Sequence, residues 1–145
     1  MNFLDALQTS SSGLTAQRTR MNVISSNLAN INTTRTPEGG PYKRKDVVFA
    51  AGPLHQSFQD TLRRQIRGAL SKVDVIGIVD DKRPPQLKYD PQHPDANEKG
   101  YVAMPNVNMI EEMVNMISAT RSYEAGVTAL NATKDMALKA LEIGR

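Results

Sequence analysis

Apolar side chains recur at heptad spacing through the last stretch of the chain, Pro105 to Arg145, and this repeat restricts the fold more than any other feature. Met109, Met116, Tyr123, Leu130 and Ala137 form one row, and Met113, Thr120, Val127, Lys134 and Leu141 a second, diluted by Thr120 and Lys134. Such a repeat belongs to a helix that packs lengthwise on another helix. A third row, Ala119, Gly126, Thr133 and Ala140, is small throughout and lets a neighbouring backbone come close. A fourth, Ile110, Ile117, Glu124, Asn131 and Leu138, is apolar at both ends, so this helix carries more apolar face than one partner covers.

The other end of the chain repeats the design from Phe3 to about Ile31. Leu7, Leu14, Met21 and Leu28 make one row and Phe3, Ser10, Gln17, Ile24 and Ile31 its neighbour. Thr9 to Gly13 lower the helix propensity, and the segment alone in water is marginal. The helix is expected to end at Asn27, Asn30 and Asn32, whose amides compete for the backbone, before Pro37, Gly39, Gly40 and Pro41 force a loop.

Between the helices the sequence reads as short strands. Tyr42 to Phe49 has strand character through Val47, Val48 and Phe49, and Gly52-Pro53 closes it. Phe58, Leu62, Ile66 and Leu70 recur every fourth residue among Arg63, Arg64 and Arg67, which predicts a short amphipathic helix over 55–70, read as a surface helix packed on the neighbouring strands in preference to a basic contact surface for an anionic partner. Lys72 to Asp80 is the clearest strand, with Gly77 permitting a bulge or a close backbone approach. After Pro84-Pro85, Leu87 to Tyr89 can return as its partner, and Gly100 to Ala103 is extended. Asn106 or Asn108 can cap the long helix, with Glu111 and Glu112 where its dipole favours them. The predicted class is α+β: long terminal helices in an antiparallel coiled-coil-like pair, with a small β-rich insert. The expected boundaries are 1–33, 34–104 and 105–145.

Few chemistries are compatible with this chain. Without cysteine it has no disulfide, thiolate ligand or thiol nucleophile. Its net charge of +3 comes from interspersed Lys, Arg, Asp and Glu, which argues against a nucleic-acid partner. Met1 to Ser12 lacks the pattern of a secretory signal, and no stretch has the length and apolarity of a membrane span. Asp90, His93 and Asp95 are the single grouping that could hold a metal or relay protons; Pro91 and Pro94 favour a rigid turn instead. Ser10 to Gly13 lacks a preceding strand and a following Lys, so it is neither nucleophile elbow nor phosphate loop. No catalytic, cofactor or metal site and no small-molecule substrate is expected.

Ser26-Asn27-Leu28-Ala29-Asn30-Ile31-Asn32-Thr33 resembles the N-terminal signature of the bacterial flagellar rod, hook and basal-body proteins. Pro41 to Lys45, Val47 to Phe49, Tyr89 to Pro91, His93 to Ala96, Gly100 to Val102 and Met104 to Asn108 resemble its proximal-rod branch, as do Glu112 to Ile117, Ala119 and Arg121 to Ala125. The resemblance leaves out about Ala50 to Ser71. It implies a non-enzymatic structural subunit that polymerises through its terminal helices into the axial drive shaft and transmits torque. The implied partners are copies of itself, other rod subunits, adaptor proteins at the rod base and the flagellar type III export apparatus. The implied location is the basal-body rod across the periplasm, reached by export without a cleavable signal. On this reading Leu7, Leu14, Met21, Ile24, Asn27, Leu28, Asn30 and Asn32 are the N-terminal assembly residues. Met109, Met113, Met116, Ala119, Tyr123, Gly126, Val127, Leu130, Ala137 and Leu141 are their C-terminal counterparts. The alternative is a secreted coiled-coil adaptor or effector that uses the same termini to bind a single partner.

Overall fold

The structure, a computed structural model, describes residues 3–53 and 71–143. Helix α1 (Phe3–Ala29) is followed by strands β1 (Lys45–Pro53), β2 (Ser71–Asp80), β3 (Gln86–Tyr89) and β4 (Tyr101–Met104), and helix α2 (Met109–Ile143) closes the order. The expected α+β architecture is therefore present: two long helices with small antiparallel sheets between them in sequence. The helix expected over 55–70 lies outside the described residues.

The helices run antiparallel, with Asn27 facing Glu112, Met21 facing Thr120 and Leu14 facing Gly126. On α2 the covered residues Glu112, Met116, Ala119, Tyr123, Gly126, Leu130, Thr133 and Ala137 alternate in steps of four and three. This is the knob spacing of a coiled-coil seam. Met116 to Ala137 of the first sequence row and Ala119 to Thr133 of the third thus face α1, while Thr120 and Val127 lie at the margin and the fourth row points outward. Small side chains along half the seam bring the backbones together.

Polar residues in α1 are accommodated by the helix itself. Thr9, Thr15 and Thr19 hydroxyls donate to the carbonyls of Asp5, Ser11 and Thr15, one turn back. Ser12 Oγ donates to the Thr9 carbonyl and accepts the Val73 N–H at 3.0 Å, which fastens α1 to the outer edge of β2.

β1 and β2 form one antiparallel ribbon, from Lys45 opposite Asp80 to Pro53 opposite Ser71. Val48 faces Gly77 and Phe49 faces Val75, so Ile76 is the extra residue of a bulge beside the glycine, as expected. Two strand expectations are corrected. β1 does not stop before Gly52 but stays paired through Gly52 and Pro53, opposite Lys72 and Ser71, and the Asp74 side chain occupies the space that a Cβ at position 52 would need. β3 pairs with β4 and not with β2. Pro84 and Pro85 have no N–H to extend a ladder, and the cross-strand Tyr89–Tyr101 pair, edge to face with centroids 5.3 Å apart, supports the other partner.

The core is small. Among the described residues Ala16, Val23, Ile24, Val102, Val107 and Ala119 are its buried apolar members, on α1, β4, the approach to α2 and α2 itself. The chain exposes 10700 Å², against about 7400 Å² for a compact monomer of this mass.

Candidate assembly interface and its buried ion cluster

The Asn-rich junction places its three asparagines in different surroundings. Asn27 is fully buried and uses all of its hydrogen-bonding capacity. Its Nδ2 donates to the Lys45 carbonyl at 2.8 Å and to Glu112 Oε2 at 3.0 Å; its Oδ1 accepts the Lys45 N–H at 2.9 Å and the Tyr42 hydroxyl at 3.0 Å. Asn27 thus pairs with the start of β1 as a neighbouring strand residue would. Asn30 closes the helix locally, donating to the Ser26 carbonyl and accepting from the Thr33 hydroxyl. Asn32 is exposed.

Glu112, in the first turn of α2, is also 0% exposed. Besides Asn27 it receives the Arg44 Nε–H on Oε1 at 2.8 Å, and the helix N-terminus favours its charge. Arg44 Nη1 lies 3.4 Å from Asp46 Oδ2 and 3.5 Å from Asp81 Oδ2. Burial works against the guanidinium charge, but the hydrogen bond and charge of Glu112, with Asp46, outweigh it and raise the Arg44 pKa. The Arg44 N–H donates to Asn106 Oδ1 at 2.7 Å, and Asn106 Nδ2 spans the carbonyls of Asp81 and Arg83. Asp81 is held below the ordinary carboxylate range by hydrogen bonds from the Arg83 side chain and backbone. Asn108, not Asn106, caps α2: its Oδ1 accepts the N–H groups of Ile110 and Glu111. One connected network therefore joins the end of α1, the start of β1, the residues just after β2 and the start of α2.

Of the residues singled out in sequence, Leu7, Leu14, Met21, Ile24 and Leu28 are half-buried or buried along α1. Met116, Ala119, Tyr123, Gly126, Val127, Leu130 and Ala137 are likewise covered in the helix pair. Met109, Met113 and Leu141 are exposed by 52%, 51% and 71%, so the chain's own α1 does not cover them. Sequence reasoning missed Arg44, Glu112 and Asn106 as members of a buried cluster. The signal for Glu112 was its phase, one heptad before Ala119 and Gly126 in the small-residue row.

Asp90, His93 and Asp95 serve separate purposes. The Asp90 carbonyl accepts the His93 N–H, His93 Nδ1 accepts the Asp95 N–H at 3.1 Å, and Asp95 Oδ2 accepts the Thr34 hydroxyl at 2.8 Å. Among the described residues no His, Asp and Glu side chains gather into a metal-holding group.

Apolar side chains stand uncovered at both ends of the helix pair. Met109, Ile110, Met113, Val114 and Ile117 form one patch at the start of α2. Met136, Leu138 and Leu141 lie toward its other end, and the antiparallel arrangement brings Phe3 and Leu4 to that same end.

Residues 7–35 match the family described as flagella basal body rod protein, and residues 98–143 match flagellar basal body rod FlgEFG protein C-terminal. The chain is 46% identical to the flagellar basal-body rod protein FlgC of Borreliella burgdorferi, over 99% of this chain and 98% of that one. It is 49% identical to FlgC of Bacillus subtilis and 41% identical to FlgC of Escherichia coli O6:H1, each across the whole of both chains.

Proposed function

The chain belongs to the family of flagellar basal-body rod proteins, and from that premise we propose how its parts serve the rod. It is a structural subunit of the basal-body rod, and it assembles with other rod proteins. The full-length similarity to FlgC proteins carries this reading.

In this proposal the chain is a proximal-rod subunit in three working parts, 1–33, 34–104 and 105–145. The terminal helices polymerise into the axial shaft. Residues inside the helix pair, such as Leu14, Met116 and Gly126, hold the pair together, while Met109, Met113 and Leu141 meet neighbouring copies. The apolar patches at the two ends of the pair differ in residue content, so contact between copies is heterologous and runs on as an open assembly. Torque passes through a joint stiffened by the Asn27–Arg44–Glu112 cluster. Adaptor proteins at the rod base and the flagellar type III export apparatus are the further partners, and the assembled rod spans the periplasm. Marginal helices suit export of an unfolded chain and its folding afterwards. No feature of the chain favours the adaptor or effector alternative.

The test is complementation of a strain lacking this chain, followed by cryo-EM of its purified basal bodies. We expect restored motility and rod density that accepts the α1–α2 pair in several subunit contacts. Motile cells whose rods lack the chain, or a complex with one partner at a single interface, would overturn the proposal.

A further inference from the structure

We propose that Asn27, Arg44 and Glu112 make the docking of α1 and α2 onto the β1–β2 ribbon one cooperative step, with Arg44 as the positioning residue. Asn27 comes from α1, Glu112 from α2 and Arg44 from the residue just before β1, and the first two are completely buried. If α1 alone detaches, Glu112 loses the Asn27 donor and the Lys45 backbone loses both of its side-chain partners. If α2 alone detaches, Asn27 Nδ2 loses one acceptor and Arg44 loses the carboxylate that offsets its burial. Either half-docked state forfeits hydrogen bonds and an ion pair that form only when both helices are in place.

The helix seam is not built of large apolar side chains throughout. It includes Gly126 and Thr133, and Gln17 Oε1 is buried without a hydrogen-bond partner. Arg44 is oriented from the ribbon side, by Asp46 and Asp81 on its guanidinium and by Asn106 on its backbone N–H. The ribbon and its flanking loops therefore form a template, and Glu112 and Asn27 close on it together. Closure also fixes the helix register, because it places Asn27 against Glu112 at one end of the pair.

From the rod reading the proposal takes only the need for both helices to order. It is tested on the isolated full-length chain, so a failure to assemble into rods leaves it standing, and its own failure leaves the rod assignment intact. Hydrogen exchange read by mass spectrometry is the measurement. Glu112→Gln and Arg44→Lys are each expected to speed exchange in residues 20–29 and 109–119 together, by about tenfold and by similar factors, with residues 45–52 and 72–80 unchanged. The effects of Asn27→Ala and Glu112→Gln should be less than additive, as for residues sharing one network. The double variant Arg44→Met with Glu112→Met should restore part of the protection in both helices, since no buried charge is then left unpaired and only the Asn27 Nδ2 donor loses a partner. If a single variant also exposes the ribbon, this double variant decides: recovery in both helices supports the proposal, and recovery in one or neither overturns it. Faster exchange confined to one helix, additive effects, or helices already unprotected in the unaltered chain would also overturn it.

Discussion

Leu14 of α1 lies against Gly126 of α2 so closely that a Cβ on the glycine would stand 2.9 Å from Leu14 Cδ2. A single methyl is accommodated by rotation of the leucine end, and the gain in helix propensity of ~1 kcal/mol compensates the strain. Gly126→Ala is therefore expected to be near neutral. Gly126→Leu has no such escape and should cost about 1–3 kcal/mol through overpacking, seen as a lower urea midpoint by far-UV circular dichroism and as impaired motility. Lys139→Ala, on the exposed face, should change neither. Normal motility with Gly126→Leu would remove the close contact from the account of assembly.

That contact was half legible in the sequence. The heptads gave an antiparallel pair and the small row marked a close approach, but four rows competed for one partner. The choice among them depends on residues far away in the chain. Glu112 turns the small row inward because Arg44 and Asn27 await it, and Ser12 turns another face of α1 to β2. Rules that place charges outside hide a buried Arg–Glu pair. The partner of β3 was illegible for a related reason: in a four-residue strand, propensity specifies little, and the Tyr89–Tyr101 contact decides the register.

Gln17 offers a substitution that should improve stability. Its Oε1 is buried and unpartnered, so Gln17→Leu removes an unmet acceptor and adds apolar contact. A gain of about 1 kcal/mol is expected, measured as a raised urea midpoint. The same change should loosen register, because a buried polar group disfavours shifted pairings; cysteine cross-linking between α1 and α2 would then report more than one alignment. A lowered midpoint would mean that the amide has a partner.

The pH response follows from Asp81. Hydrogen bonds from Arg83 lower its folded pKa, so its stabilising contribution is complete above the unfolded value of about 3.9 and is lost as pH falls through the lower folded value. Arg44 and Arg83 are shifted upward and remain charged throughout this acid range. Urea midpoints followed from neutral pH to about pH 2 should fall less steeply in Asp81→Asn than in the unaltered chain, and should start lower. Parallel curves would place the acid response on other carboxylates.

The loop from Asp90 to Gly100 separates a chemical role from a structural one. Gly100 adopts φ +77°, and a Cβ there would meet the Tyr89 ring at 3.0 Å and Pro91 at 3.2 Å. Gly100→Ala should therefore cost about 1–3 kcal/mol and loosen the β3–β4 ribbon. His93→Ala removes only the acceptor for the Asp95 N–H and should cost about 1 kcal/mol. Pro91→Gly and Pro94→Gly should be of similar size, since each frees the unfolded chain as well as the turn. The ordering expected from limited proteolysis of the loop is thus Gly100→Ala first, with the other variants close together, and chelators should not alter it. A metal site would give a different pattern: His93→Ala and chelation would act alike while the proline variants stayed mild. Stoichiometric zinc bound by the chain and lost on His93→Ala, with assembly intact, would replace the turn by a metal centre.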